Sequence, residues 1–146
     1  MRGEVCHHSI VTLVFYDGVC ALCNGAVTFL VKRDRAGIFR FAPLQGQLAA
    51  EVLPKYAIDP RDLDSIVVLE DWNGAGERVL TRSNAVLSAL RSLGGTWATL
   101  ARIGSVVPAA LRDVVYRTVA RTRYRTFGKY DVCPIPPPEW RNRFLE

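Results

Sequence analysis

The sequence predicts an α/β fold, in which helices flank a mixed four-stranded β-sheet. Two observations support this fold class. Short apolar segments rich in β-branched residues alternate with segments whose apolar residues recur at helical spacing. An Asn73-Gly74 turn joins two of the strand-like segments as a hairpin. The alternation favours a parallel pair of strands, and the hairpin adds an antiparallel edge.

The predicted order of elements is β-α-β-α-β-β-α. The first strand is the continuous apolar run at residues 10–16, which is typical of a strand buried on both faces. The other predicted strands span residues 38–42, 65–70 and 77–82, and the first two helices span residues 21–35 and 47–56. A third helix begins at Ser83 as N-cap and ends at Gly94-Gly95. This order, with helices on both faces of the sheet, is a thioredoxin-like arrangement.

Residues 96–146 are predicted to be a C-terminal helical extension of the same domain. One helix spans residues 97–107, and the next begins near Pro108, a residue suited to the first turn of a helix. After Tyr124 the chain becomes irregular, and the proline run from Cys133 to Pro138 excludes helix and central strand there. We therefore expect a single domain over residues 1–146, with residues 1–9 as a frayed tail.

Length and composition fit a globular protein with a core of its own. The chain has 146 residues, of which 49% are hydrophobic and 23% charged. Such a chain buries about two-thirds of its unfolded surface and needs no disulfides to fold. Its four cysteines are too few for a disulfide framework. The N-terminus has no apolar signal region, and the run at residues 10–16 is too short to span a membrane, so we expect a cytoplasmic protein.

The net charge of +5 is concentrated in the C-terminal part of the chain. Residues 83–146 contain ten Lys and Arg residues but only four Asp and Glu residues. The arginines are spaced among apolar residues, so they indicate a solvated helix face more than a nucleic-acid site. No specific nucleic-acid partner is expected, and weak contact with an anionic surface remains open through these basic helices.

The sequence Tyr-Asp-Gly-Val-Cys-Ala-Leu-Cys-Asn at residues 16–24 carries the chemistry. Cys20 lies where the predicted helix begins, and thiols at helix N-termini have pKa values of about 3.5–7.5 because backbone N–H groups stabilise the thiolate. Cys20 is therefore the predicted nucleophile. Cys23 lies one turn further along and is expected to be the more buried, resolving thiol. The implied partners are a disulfide-containing substrate and a thiol reductant, and no cofactor is expected.

Asp17 lies three residues before Cys20, at the end of the first predicted strand. In a partly dry site the pKa of its carboxyl group is expected to rise, which would suit a proton acceptor for Cys23. Asp-Gly is also a common turn pair, and that structural interpretation is equally supported.

A zinc site is the alternative interpretation of the cysteine pair. Structural zinc takes four Cys or His ligands, which often come in two closely spaced pairs. Here Cys20 and Cys23 form one pair, and a site would have to add Cys133 and one histidine. The other candidates, Cys6, His7 and His8, lie in the predicted tail. Cys133 is either a buried core thiol, which is favoured because cysteine is among the most buried residue types, or a third redox cysteine near the pair. The missing second pair favours redox chemistry over zinc.

The sequence resembles the DCC family of thiol-disulfide oxidoreductases, the YuxK-like group. The family signature, Asp-x-x-Cys-x-x-Cys, is matched by Asp17, Cys20 and Cys23. The resemblance continues through further short motifs to Cys133, namely Arg82-Ser83-Asn84-Ala85, Leu93-Gly94-Gly95, Val107-Pro108, Arg112-Asp113, Tyr116-Arg117, Arg123-Tyr124 and Phe127-Gly128-Lys129. It implies a thioredoxin-like fold and a redox-active cysteine pair, and it says little about the substrate.

One feature departs from thioredoxins in general, which place a cis-proline just before the strand that faces the active-site cysteines. Here the residues before Ile66 are Leu63-Asp64-Ser65, and neither Pro43 nor Pro60 occupies that place. The redox chemistry does not depend on that proline, but the docking of a substrate peptide beside Cys20 must differ.

Overall fold

The computed structural model describes residues 11–61, 66–131, 134 and 136–145. The strands are β1 (Thr12–Tyr16), β2 (Phe39–Pro43), β3 (Val67–Glu70) and β4 (Arg78–Thr81). The helices are α1 (Ala21–Arg33), α2 (Gln47–Val52), α3 (Arg82–Leu93), α4 (Gly95–Ser105) and α5 (Ala109–Phe127), with 3₁₀ turns at Leu53–Tyr56 and Pro138–Arg143. The predicted tail, with Cys6, His7 and His8, lies outside the described residues, as does Cys133.

The four strands form one mixed sheet in the order β2-β1-β3-β4. Strand β1 pairs in parallel with β2 through the α1 crossover, and it pairs antiparallel with β3. Strands β3 and β4 form the antiparallel hairpin that the Asn73-Gly74 turn predicted. The mixed four-stranded α/β fold is thereby confirmed. Because β3 runs antiparallel to β1, its first residues lie beside the last residues of β1, with Phe15 opposite Val67.

Helices cover both faces of the sheet, as the alternating pattern predicted. On one face, α1 and α3 pack through Val27, Leu30 and Ala85 against β1 and β2. On the other face, α2 and the 3₁₀ turn after it pack through Ala49 and Leu53. Strand β1 lies between the two cores and is buried along its whole length, which explains its continuous apolar sequence.

Two details of the predicted helices are wrong for local physical reasons. The helix predicted over residues 47–56 ends at Val52, because Pro54 has no N–H to continue the α-helical pattern, and the chain goes on as a 3₁₀ turn. The N-cap of α3 is Thr81. Ser83 lies inside the first turn of α3, where its hydroxyl bonds the carboxylate of Asp113 from α5.

The helices of the C-terminal part pack outside this core. Helix α4 runs along α3, whereas α5 crosses the end of the domain where β1 ends and β3, α1 and α3 begin. The bonds that fix it there join Arg112 Nη1 to Ser83 Oγ (3.1 Å), Ile66 N to Tyr116 Oη (2.8 Å), Arg123 Nη2 to Asp17 Oδ2 (3.0 Å), and Ala21 N to Gly128 O (3.2 Å). Helix α5 therefore lies over the mouth of the predicted redox site.

No helix in the described part of the chain is both long enough and apolar enough to cross a bilayer.

Candidate active site

The cysteine pair lies on a tight turn between β1 and α1. Strand β1 ends at Tyr16, and Cys20 is the N-cap residue of α1 with extended backbone angles (φ −82°, ψ 124°). The Sγ atom of Cys20 accepts a hydrogen bond from the backbone N–H of Cys23 at 3.2 Å. A sulfur atom thus occupies the place of the usual capping oxygen, where the positive end of the helix dipole favours a thiolate.

Side-chain hydrogen bonds hold this turn in place. The amide of Asn24, in the first turn of α1, donates to the carbonyl groups of Gly18 (2.8 Å) and Cys20 (2.9 Å). The N–H of Gly18 donates to Oε1 of Gln45, at 3.0 Å. Both backbone and side chains therefore fix the position of Cys20 relative to the helix before any substrate arrives.

The prediction that Cys23 is the more buried thiol is wrong. Cys20 has no exposed surface, whereas Cys23 is partly exposed, and both are free thiols. The cause is the chain after α5, which runs alongside the turn. The N–H of Tyr130 donates to the carbonyl of Val19 at 2.7 Å, and residue 129 forms a β-bridge with Cys20. We call residues 128–130 the covering segment.

Asp17 is buried and accepts several hydrogen bonds. Its Oδ1 accepts from Nε2 of Gln45 (2.7 Å) and the N–H of Val19 (3.2 Å). Its Oδ2 accepts from Nη2 of Arg123 (3.0 Å) and from the hydroxyl of Tyr124. Burial acts to raise the pKa of Asp17, but the bonds from Tyr124, Gln45 and Arg123 outweigh it and hold the pKa below its ordinary value. The expected rise in this pKa is therefore wrong, and the carboxylate is a weak base.

Arg123 and Tyr124 are site residues that the sequence interpretation missed. The guanidinium of Arg123 forms a buried ion pair with Asp17, and it lies 4.5 Å from the centre of the Tyr124 ring. Its Nη1 also donates to the carbonyl of Ala120 at 2.6 Å. A signal was available, because successive spacings of four, three and one along α5 place four residues on one helix face, namely Tyr116, Ala120, Arg123 and Tyr124.

The thiol of Cys23 is held in its protonated form. Burial raises its pKa to about 12, together with a hydrogen bond to Cys20 and the charge of the Cys20 sulfur. The guanidinium of Arg123 acts in the opposite direction, whereas the carboxylate of Asp17 adds to the rise. The pair is therefore asymmetric, since the Cys20 sulfur caps α1 while burial and its neighbours raise the pKa of Cys23.

The alternative metal interpretation gains no support from the described residues. Across residues 11–61, 66–131, 134 and 136–145, no three His, Cys, Asp or Glu side chains come together as metal ligands do. Its third proposed ligand, Cys133, lies outside these ranges. The same ranges contain no cis peptide bond.

Comparison with known proteins identifies the family. A family model described as DCC1-like thiol-disulfide oxidoreductase matches residues 14–129, from β1 to the covering segment. The chain belongs to this DCC family. A DCC relative from Bacillus subtilis (strain 168), the uncharacterised protein YuxK, is 39% identical over 133 residues, which are 91% of this chain and 93% of YuxK.

A second DCC family protein, chloroplastic and from Arabidopsis thaliana, is 33% identical over 123 residues, which cover 84% of this chain and 69% of the plant protein. No solved structure gives a significant match to the chain. The resemblance inferred from the Asp-x-x-Cys-x-x-Cys signature is thus confirmed at the level of the DCC family. The name of the family indicates thiol-disulfide chemistry and does not specify a substrate.

Proposed function

We propose that this protein catalyses thiol-disulfide exchange, with Cys20 as the nucleophile and Cys23 as the resolving thiol. The observation that carries the proposal is the asymmetry of the pair. The Cys20 sulfur caps α1 and accepts the Cys23 N–H, while the pKa of the Cys23 thiol is raised to about 12. Two sulfurs at one helix terminus, of which one caps the helix and the other is held as a thiol, suit a two-step exchange.

In the first step, the Cys20 thiolate attacks one sulfur of a disulfide, R–S–S–R′. A bond forms between Cys20 Sγ and the R-bearing sulfur, the S–S bond of the substrate breaks, and R′–S⁻ leaves and takes a proton from water. In the second step, the Cys23 thiol gives its proton to water, its sulfur attacks Cys20 Sγ, and the bond to R breaks, so that R–S⁻ leaves and takes up a proton. The protein is oxidised to the Cys20–Cys23 disulfide, and the substrate is reduced by two electrons. An external thiol reductant then restores the dithiol.

The first step removes the negative charge of Cys20, and this change lowers the pKa of Cys23 for the second step. Once Cys20 is part of a mixed disulfide, its negative charge is gone. Two of the causes that raise the pKa of Cys23, the hydrogen bond to Cys20 and the Cys20 charge, then disappear, whereas the guanidinium of Arg123 still lowers that pKa. Burial still raises the pKa of Cys23, but this thiol loses its proton more easily after Cys20 has reacted than before, which favours the order of the two steps.

In this proposal Asp17, Arg123 and Tyr124 are positioning residues. The carboxylate of Asp17 is held ionised by its donors, so it does not serve as the proton acceptor for Cys23. Instead it joins the turn before Cys20 to the inner face of α5. Arg123 keeps a positive charge beside Cys23, where it stabilises the thiolate that forms in the second step.

Access to Cys20 requires the covering segment to separate from the turn. Cys20 has no exposed surface in the dithiol form, and backbone hydrogen bonds from Tyr130 to Val19 and from Ala21 to Gly128 close the site. Local openings of this kind cost less free energy than global unfolding. The proposal places the protein in a reducing compartment such as the cytoplasm, where a thiol reductant returns the pair to the dithiol.

The test compares Cys20→Ser with Cys23→Ser in the full chain, with a small aromatic disulfide as substrate. We expect Cys20→Ser to abolish the release of aromatic thiol above the uncatalysed rate. Cys23→Ser should perform the first step once and accumulate a mixed disulfide on Cys20, seen by mass spectrometry of the intact protein. Cys6→Ser is the matched control, since it changes a cysteine outside the Asp-x-x-Cys-x-x-Cys signature. Full activity of Cys20→Ser, or a mixed disulfide found on Cys23 in the wild type, contradicts the proposed roles.

A further inference from the structure

The outward side of α4 and the first part of α5 expose an unusual number of large apolar side chains. Six of them lie between residues 103 and 115, at the end of α4, in the connection and in the first half of α5. The exposed fraction is 82% at Val106, 62% at Ile103 and 61% at Val115, and the others are Val107, Leu111 and Val114. Leu100 and Val119 extend the set along each helix. We call these eight residues the outer apolar face.

Helix geometry explains why these residues point to solvent. Arg123 and Tyr116, on the inner side of α5, contact Asp17 and Ile66, so α5 cannot rotate without breaking the site. Leu111, Val114 and Val115 lie close together around the helix and are turned away from Tyr116 and Arg123. A helix that turns an arginine inward and leaves three large apolar side chains in water departs from the usual pattern of a surface helix. Exposed apolar groups of this kind mark interaction sites.

The charge around the outer apolar face is of one sign. Arg102, Arg117, Arg121 and Arg125 are all exposed, and among the residues that the structure describes none of the four forms an ion pair. Asp113 is the single acidic residue of α4 and α5, and it is occupied by a hydrogen bond from the hydroxyl of Ser83. A partner of this surface must therefore accept apolar side chains and also carry negative charge.

We propose that the outer apolar face binds the surface of a membrane that contains anionic lipids. The side chains of Ile103, Val106 and Leu111 would enter the boundary between headgroups and acyl chains, and the surrounding arginines would bind lipid phosphates. A second copy of this chain fits the surface less well, because the pairing would bring arginines against arginines. Nucleic acid would supply phosphates for the arginines but no apolar surface for the exposed valines and isoleucine.

The position of α5 links this surface to the cysteine pair. The inner side of α5 contacts the site, and the outer side carries the proposed lipid contacts. The two are therefore separated by one helix, about 10 Å across. A protein docked in this way holds Cys20 close to the bilayer surface, next to disulfides carried by membrane-bound molecules. The docking itself stands on the exposed residues and does not depend on the redox proposal.

The experiment is cosedimentation of the full chain with vesicles of phosphatidylcholine, with and without phosphatidylglycerol. We expect binding to the phosphatidylglycerol vesicles at low salt and weaker binding as salt rises. Ile103→Ser with Val106→Ser should reduce the partition coefficient without changing the net charge. Arg121→Glu should reduce it at least about fivefold, since each arginine near an anionic surface contributes about that factor. Lys55→Glu, an equal charge change on the far side of the sheet, is the control.

Circular dichroism confirms that each variant is folded before it is compared. The proposal is overturned if the wild type fails to bind phosphatidylglycerol vesicles at low salt, or if the Ile103 and Val106 changes leave binding intact. It is also overturned if sedimentation equilibrium shows a dimer that the same changes dissociate, since the face would then bind a second copy. Salt-sensitive binding to duplex DNA that exceeds vesicle binding and survives the apolar changes would assign the arginines to nucleic acid.

Discussion

Two buried aspartates lie at the two ends of α1. Each forms an ion pair with an arginine, but their other hydrogen-bond donors differ. Asp17 precedes α1, and Asp34 follows it as the C-cap residue. Each forms an ion pair with an arginine from the C-terminal part of the chain, at 3.0 Å with Arg123 and at 2.9 Å with Arg143. Both carboxylates are almost completely removed from solvent.

The donors to the two carboxylates come from different sources. Asp34 accepts from the N–H groups of Ile38 (3.1 Å) and Phe39 (2.9 Å), so it mainly holds a local turn between α1 and β2. Asp17 accepts mostly from side chains of distant elements, and it lies beside the cysteine pair. A buried aspartate with local backbone donors stabilises a turn, whereas one with distant side-chain donors ties a reactive site to the rest of the fold. Variants at Asp34 and Arg143 are therefore matched controls for Asp17 and Arg123.

The largest expected difference is between Arg123→Met and Arg143→Met. Loss of Arg123 leaves a buried carboxylate without its counter-ion, so the free energy of unfolding should fall by about 3–5 kcal/mol. Loss of Arg143 should cost about 1 kcal/mol, because this side chain is partly exposed and Asp34 keeps its backbone donors. Urea unfolding of both variants measures the difference. Equal losses of free energy in the two variants would show that Asp17 depends on Arg123 no more than Asp34 depends on Arg143.

Replacing the carboxylates themselves should give a smaller change that depends on pH. At neutral pH, Asp17→Asn should lower the free energy of unfolding by about 2 kcal/mol, because hydrogen bonds to a charged group are lost. The pKa of Asp17 is lower in the folded than in the unfolded protein, so its stabilising effect is present above the unfolded value of 3.8 and is lost as pH falls through the folded value. The gap between wild type and Asp17→Asn should therefore narrow in acid.

Unfolding measured at a series of pH values tests this expectation, with Asp34→Asn run in parallel. A gap between wild type and Asp17→Asn that stays constant below pH 3.8 would mean that the Asp17 carboxylate is not the group responsible.

Tyr124→Phe should have a smaller effect, a loss of about 1 kcal/mol in the free energy of unfolding. The change removes one hydroxyl donor to Asp17, while Arg123 and Gln45 remain and the ring still lies beside the guanidinium. Tyr130→Phe, a change on a largely exposed ring, serves as the control and should be neutral. Thermal unfolding of the two variants is the measurement, and an equal shift in both would contradict the role of the Tyr124 hydroxyl.

The smallest expected effects are opposite shifts in the pKa of Cys23. Arg123→Met should raise this pKa further, because the positive charge that lowers it is gone. Asp17→Asn should lower it, because the negative charge that raises it is gone. Nuclear magnetic resonance of labelled cysteine carbons follows the titration of Cys23 separately from the other thiols. Shifts of the same sign in the two variants, or a comparable shift in Arg143→Met, would contradict the electrostatic assignment.

The sequence predicted those parts of the molecule that local patterns determine. The apolar run before Asp17, the turn and the helical spacing after Cys20 place the cysteine pair correctly, because a strand, a turn and a helix each depend on neighbouring residues. The sheet followed from the alternation of elements and the Asn73-Gly74 turn. The pKa direction at Asp17 and the burial of Cys20 could not follow, since the first depends on α5 and the second on the covering segment after it.

Contacts between residues that are far apart in the sequence are not predicted by local sequence patterns. Arg123 and Asp17 are 106 positions apart in the chain, and the arginine looked like one of several on a solvated helix face. The helical spacing shows that α5 has two sides, but the inner side carries Arg123, and a hydrophobicity argument would turn that side towards solvent. Ser83 was likewise assigned a local capping role, whereas its hydroxyl donates to the carboxylate of Asp113 and so links α3 to α5.

The complete burial of Cys20 also bears on how this protein survives oxidative stress. A thiolate that peroxide can reach is oxidised to sulfenic acid and then irreversibly to sulfinic and sulfonic acids. Here a small oxidant reaches the sulfur only during the intervals when residues 128–130 have separated from the turn, and Cys23 is one helical turn away to capture a sulfenic acid as a disulfide. In the thiol-disulfide exchange proposed above, the closed site would protect the dithiol between turnovers and slow its encounter with substrates.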